Sequence, residues 1–154
     1  MGNNIEERGR IYYTFTAIVG NEDAKLALIL NAIDPDIGGV LLVGDKGTGK
    51  STMVRSLAQV LPEIEVVADC SFNDDPNDPT HMCDICYSRY VKGEQLPVVK
   101  RKMRIVNLPL SITVDRLVGT IDIKRALKEG IRALQPGLLA EANRNILYID
   151  EVNL

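Results

Sequence analysis

The octapeptide Gly44-Asp45-Lys46-Gly47-Thr48-Gly49-Lys50-Ser51 constrains this chain more than any other stretch, because it meets G-x-x-x-x-G-K-[ST] at every fixed position. Such a loop works between a strand and a helix. Its glycines let backbone N–H groups converge on phosphate oxygens, and the helix that follows adds the positive end of its dipole. The flanks read accordingly. Val40-Leu41-Leu42-Val43 has the composition of a buried strand of the parallel type, and Lys50 to Val60 carries Met53, Val54, Leu57 and Ala58 at helical spacing before Pro62. The motif therefore predicts a nucleotide-phosphate site made by Gly44, Asp45, Lys46, Gly47, Thr48, Gly49, Lys50, Ser51 and Thr52. Lys50 would bridge the β- and γ-phosphates, and the Ser51 hydroxyl would bind Mg²⁺.

The remaining chain extends the strand and helix alternation. Residues 1–10 are polar and read as a flexible leader, after which Ile11-Tyr12-Tyr13-Thr14-Phe15 begins an extended segment. Asn21 is a good N-cap for a helix from Glu22, whose first turn is acidic and which should end by Asp34, before Pro35. Ile64-Glu65-Val66-Val67 reads as a strand. A run of turn formers from Asn73 to Pro79 follows, and a polar stretch continues to Pro97. Lys102 to Leu108 alternates as a strand, Ile123 to Leu134 is helix-like, Pro136-Gly137 turns the chain, and Leu138 to Ala142 starts another helix. Ile146-Leu147-Tyr148-Ile149 closes as a buried strand. The order implies an α/β fold with a mainly parallel sheet.

That last strand ends in Asp150-Glu151, at the carboxyl end where open α/β sheets bind ligands. Asp150 is suited to hold Mg²⁺ through water and Glu151 to polarise an attacking water, which makes Glu151 and Lys50 the candidate catalytic pair.

A second group has no single reading. Cys70, His81, Cys83 and Cys86 offer a ligand set that a tetrahedral Zn²⁺ accepts, and Cys83 and Cys86 have the C-x₂-C spacing. The same spacing serves a redox-sensitive thiol pair, and buried cysteines also act as small apolar residues. All three readings stand on the sequence. The odd count of 3 cysteines argues against a secreted disulfide framework.

Charge removes other classes of partner. With 18 basic and 21 acidic residues the net charge is −3, which gives no pull toward nucleic acid or an anionic membrane. The local cluster Lys100-Arg101-Lys102-Met103-Arg104 has no interleaved aromatics to stack bases and reads as protection of an exposed strand edge. No apolar run reaches the ~20 residues that span a bilayer, so the expected location is cytoplasmic.

Beyond these elements, the chain resembles the small AAA+ ATPase subunit, subunit I, of magnesium chelatase. The resemblance is carried by Phe15-Thr16-Ala17-Ile18-Val19-Gly20, Gly44 to Thr52, the Asp69 to Pro79 loop and Leu108-Pro109-Leu110. It continues through Val118-Gly119-Thr120-Ile121-Asp122-Ile123, Pro136 to Asn143, and Tyr148-Ile149-Asp150-Glu151-Val152-Asn153-Leu154. It implies a P-loop NTPase fold of the AAA+ type, a three-layer αβα arrangement with inserted hairpin elements, residues 11–154 forming the N-terminal portion of the module. It also implies ATP hydrolysis in a ring, usually a hexamer, with a second AAA+ chelatase subunit and a large porphyrin-binding subunit, driving Mg²⁺ into protoporphyrin IX. Ile18 and Val19 would then flank the adenine. Thr113-Val114-Asp115-Arg116 lacks one acid of a family signature, and cobalt chelatases, MoxR-like and MCM-like AAA+ proteins and a non-catalytic nucleotide-binding fragment are the alternative readings. In the family's order the strand before Gly44 lies between strands later than Leu154, and the sensor residues, arginine finger and helical lid also come later. The expectation is weak folding and negligible ATPase for this stretch alone.

Overall fold

A computed structural model describes residues 13–45, 47–122 and 134–151. The chain divides into two units, Met1–Leu61 and Pro62–Leu154.

In the first unit a 3-10 turn, Phe15–Ala17, precedes helix α1 (Glu22–Ile33), a second 3-10 turn (Pro35–Ile37) and helix α2 (Lys50–Val60). Phe15, Met53 and Leu57 form its buried core, with Ile18, Ala24, Leu28 and Leu61 packed against them. Burial of the Phe15 ring accompanies a local coil where the sequence suggests an extended segment; Ile11 and Tyr12 lie outside the described residues, as does the leader. Helix α1 has the expected bounds but a different start. Asn21 takes a left-handed backbone, φ 54°, and its side chain makes no capping bond. Its carbonyl accepts the Lys25 N–H at 3.0 Å, and Lys25 pairs with Glu22 at 2.9 Å across the first turn.

The expected strand at Val40–Val43 is absent. Leu41 is 72% and Val43 88% exposed, and no described residue pairs with the run in a ladder. An apolar, branched run favours a strand only when a neighbour takes up its backbone N–H and C=O groups.

The described residues of the second unit hold six strands in three pairs. Strands β1 (Ile64–Val67) and β2 (Val98–Arg101) run antiparallel, with Ile64 opposite Arg101. Strands β3 (Ile105–Leu108) and β6 (Ile146–Ile149) run parallel, from Ile105 opposite Ile146 to Leu108 opposite Ile149. Between them come helix α4 (Val114–Val118), the antiparallel pair β4 (Gly119–Ile121) and β5 (Leu134–Pro136), and helix α5 (Leu138–Ala142). A parallel pair needs such a crossover, and the antiparallel pairs are the inserted elements of the expected α/β class. The helix expected from Ile123 lies outside the described residues up to Ala133, and Leu134 opens β5 instead.

Two glycines meet where β4 and β5 close. Gly119 ends α4 at φ 96°, and a Cβ there would lie 2.9 Å from the Gly137 nitrogen and within the radius of the Gln135 carbonyl oxygen. A Cβ on Gly137 would in turn strike the Gly119 nitrogen and the Leu117 carbonyl. Only glycine fits at either position.

The polar stretch before Pro97 contains a helix that sequence periodicity does not reveal, α3 (Asp84–Val91). Cys86 is its one buried residue, while Ile85, Tyr87, Tyr90 and Val91 are exposed, so it has no apolar stripe to detect. Of the basic cluster, Lys100 ends exposed on β2, whereas Arg101 has buried Nε and Nη2 atoms with no hydrogen-bond partner among the described residues. Among the described residues no helix is long and apolar enough to cross a membrane.

Candidate functional site

The glycine loop is held by its own backbone. Gly44, Gly47 and Gly49 all have positive φ, at 156°, 88° and 80°, a path that residues with a Cβ rarely follow. Gly49 is the N-cap of α2, and its carbonyl accepts the Met53 N–H at 2.9 Å. Among the described residues no side chain caps this helix, so the N–H groups of its first turn, from Lys50 to Thr52, are open to another acceptor. The Lys50 ammonium folds back over the loop, donating to the Gly44 and Asp45 carbonyls at 2.7 Å each and to Thr48 Oγ1 at 3.3 Å. The Thr48 hydroxyl closes the turn on the Asp45 carbonyl at 2.9 Å. The sequence-predicted residues from Gly44 to Thr52 are thus brought together, apart from Lys46, which lies outside the described residues. Ile18 packs against the core of this unit, and Val19 is 95% exposed.

In the second unit Asp150 and Glu151 follow β6 and are exposed. Asp150 Oδ1 accepts the Glu151 N–H at 3.1 Å and the Tyr148 hydroxyl at 3.4 Å, and Glu151 itself takes φ 51°. The acid pair therefore stands at the carboxyl end of the parallel ladder, as the sequence reading requires.

The cysteines converge, but not with the histidine. Cys70 Sγ and Cys83 Sγ are 3.9 Å apart, and the Phe72 N–H donates to Cys70 Sγ at 3.3 Å. His81 belongs to a different group: its Nδ1 lies 2.7 Å from Asp78 Oδ2, its side chain is 84% exposed, and Thr80 is its other neighbour. Asp78 caps the 3-10 turn Pro79–His81 through the Thr80 N–H and captures the imidazole there. Hydrogen bonds from Thr80 and His81 hold the Asp78 carboxyl down at about 2.

Asp74 takes the place that the sequence offered to His81. It is 2% exposed, and its Oδ2 accepts the Cys83 N–H at 2.9 Å. Burial alone would raise its pKa, but hydrogen bonds from Cys83, Cys86 and Cys70 outweigh this and hold it below the usual carboxylate value. The thiols move the other way. Burial, then the bond to Asp74, pushes Cys83 up to about 11, and Cys86 is raised further by the same causes. Asp74 sits in a run of turn formers, where an acid reads as solvated, so nothing local in the sequence marks it.

Neighbouring contacts fix this loop. The Asn73 side chain, from a left-handed backbone at φ 58°, donates to the carbonyls of Ala140, Glu141 and Asn143 at 3.2–3.3 Å. Asn143 returns a bond to the Phe72 carbonyl at 2.7 Å, and Arg144 pairs with Asp75 at 2.7 Å.

A glycine loop on the N-terminus of a helix, in a chain with a parallel ladder ending in two acids, defines an α/β protein of the P-loop class. No protein-family model matches the chain. The "Magnesium-chelatase subunit ChlI homolog" of Methanocaldococcus jannaschii is 64% identical over 142 residues, covering 92% of this chain and 38% of the relative. The "Magnesium-chelatase subunit ChlI" of Mesostigma viride is 58% identical over 152 residues, 99% of this chain and 42% of the relative. A solved complex between subunits BchI and BchD of magnesium chelatase, from a single-particle cryo-EM reconstruction, superposes with TM-score 0.73 at 48% identity, over 94% of this chain and 43% of that one. The chain belongs to the magnesium-chelatase subunit I family. It spans about two fifths of the length of the relatives it matches.

Proposed function

We propose that this chain is the nucleotide-binding part of an AAA+ ATPase subunit that powers insertion of Mg²⁺ into protoporphyrin IX. The observation that carries the reading is the glycine loop at the start of α2, whose positive-φ glycines and uncapped helix N-terminus suit a phosphate chain. Bound ATP supplies the phosphoanhydride whose hydrolysis drives the subunit. The loop from Gly44 to Gly49 cradles the phosphates with its N–H groups, and Lys50 exchanges its loop carbonyls for phosphate oxygens. Ser51 and Asp150 hold the nucleotide's Mg²⁺, Thr52 lends its N–H to a phosphate oxygen, Glu151 orients the attacking water, and Ile18 and Val19 flank the adenine.

The proposed assembly is a self-associated ring, a hexamer, in the cytoplasm. It works with a second AAA+ chelatase subunit and a large porphyrin-binding subunit. The BchI–BchD complex is the solved relative that supports the first partnership.

The test is binding of a non-hydrolysable ATP analogue with Mg²⁺ to the chain and to Lys50→Ala. Loss of a charge-assisted contact worth about 1.5–3 kcal/mol predicts a weakening of about tenfold to a hundredfold in the variant. Equal affinity for both proteins would overturn the reading.

A further inference from the structure

The group around Cys86 is built like a metal site and stands outside the phosphate-binding residues. The sulfurs of Cys70, Cys83 and Cys86 and a carboxylate oxygen of Asp74 all lie within 4.8 Å of one another. We propose that these four side chains are the tetrahedral ligands of a single Zn²⁺ that fastens the loop after β1 to the start of α3.

Distance comes first. Zn–S bonds of about 2.3 Å and Zn–O bonds of about 2.0–2.2 Å put tetrahedral ligand atoms about 3.5–3.8 Å from each other. The Cys70–Cys83 pair is already at 3.9 Å. Closure around one ion needs only small side-chain shifts, whereas a multi-iron cluster would need a wider ring of sulfurs.

The backbone presents the ligands from short, fixed segments. Cys83 is the N-cap of α3 and Cys86 lies in its first turn, so the C-x₂-C pair faces one way from the helix start. Cys70 is set by a turn, its N–H donating to the Val67 carbonyl at 3.1 Å. The outer contacts are also those of a ligand set: the Phe72 N–H points at Cys70 Sγ and the Cys83 N–H at Asp74.

Donor chemistry selects the ion. Three sulfurs and one oxygen favour a borderline-soft cation over Mg²⁺, which takes oxygen ligands in an octahedron. With four protein ligands, and Cys86 and Asp74 at 1% and 2% exposure, the site is closed and therefore structural. On binding, three S–H bonds break and three protons leave to solvent, while three Zn–S bonds and one Zn–O bond form; no electron changes hands. A disulfide uses the sulfurs less completely. It would join two thiols and leave the third beside a buried carboxylate.

None of the relatives' names mentions zinc, so the proposal rests on this chain's own residues. The chain, purified without chelator, should contain one zinc per molecule by elemental analysis. Cobalt(II) exchanged into the site should give thiolate-to-cobalt charge transfer and tetrahedral visible bands. All three thiols of the zinc-loaded wild-type chain should resist alkylation and become reactive once a strong chelator is added. Asp74→Asn should weaken zinc about tenfold or more, Cys83→Ser should lose it, and His81→Ala and Lys50→Ala should retain it. Absence of zinc, alkylation unaffected by chelator, a Cys70–Cys83 disulfide in the purified chain, or zinc retained by Cys83→Ser would each overturn the proposal. If Cys83→Ser does not fold, the wild-type alkylation result decides. Because Lys50→Ala separates nucleotide from zinc, failure of one proposal leaves the other intact.

Discussion

The glycine loop and the cysteine–carboxylate cluster solve opposite problems. The loop is contiguous, its described glycines are exposed, and the bonds seen to shape it among the described residues are made within a few residues, such as Lys50 to Gly44 and Thr48 to Asp45. The cluster gathers Cys70, Asp74, Cys83 and Cys86 around buried atoms, and its surroundings are tied by Asn73 to carbonyls nearly seventy positions later in the chain. A site of the first kind can lose a side chain and keep its shape. One of the second kind loses its frame with its chemistry.

Asp74→Ala should test that contrast most severely. It removes the acceptor of the part-buried Cys83 N–H and one of the four proposed zinc ligands, and should cost about 2–4 kcal/mol in urea denaturation of the zinc-loaded chain. Lys50→Ala in the same assay should change stability by no more than about 0.5 kcal/mol, since its contacts are exposed. Equal losses for the two variants would erase the distinction.

Asn73→Ala comes next, at about 1–2 kcal/mol. It deletes a side chain bonded to three carbonyls at a position with left-handed φ. Asn73→Gly, which relieves the backbone but not the bonds, should fall between wild type and Asn73→Ala.

The smallest effect concerns the exposed trio of Asp78, Thr80 and His81. A carboxyl depressed in the folded chain contributes stability above its unfolded pKa of about 3.9, and this is lost as pH falls toward about 2. An NMR titration should find the Asp78 midpoint near 2. Thr80→Ala should raise it more than His81→Ala, because the hydroxyl is the larger cause. Neither change should touch zinc content.

What the sequence disclosed follows the same division. Helix α2 and strands β1 and β6 are legible because each carries its own apolar pattern, and the glycine loop because its chemistry is contiguous. Val40–Val43 misleads because a strand is a relation between two segments and only one is on view in the sequence run. Helix α3 escapes because Cys86 alone is buried on it, and Asp74 escapes because a turn-forming run disguises a buried carboxylate. His81, the more obvious metal ligand by type, is diverted by an acid three residues before it.

The contact of Gly119 with Gly137 restricts what the gene can become. Every missense change in a glycine codon installs at least a Cβ or a proline ring, and at either position that atom meets backbone, not a side chain that can turn aside. Neither position can be reached by a compensating change at the other, since both faults are additions of mass to the same gap. A chain that keeps this hairpin therefore keeps both codons, and a library of random variants selected for folding should return glycine alone at these two places.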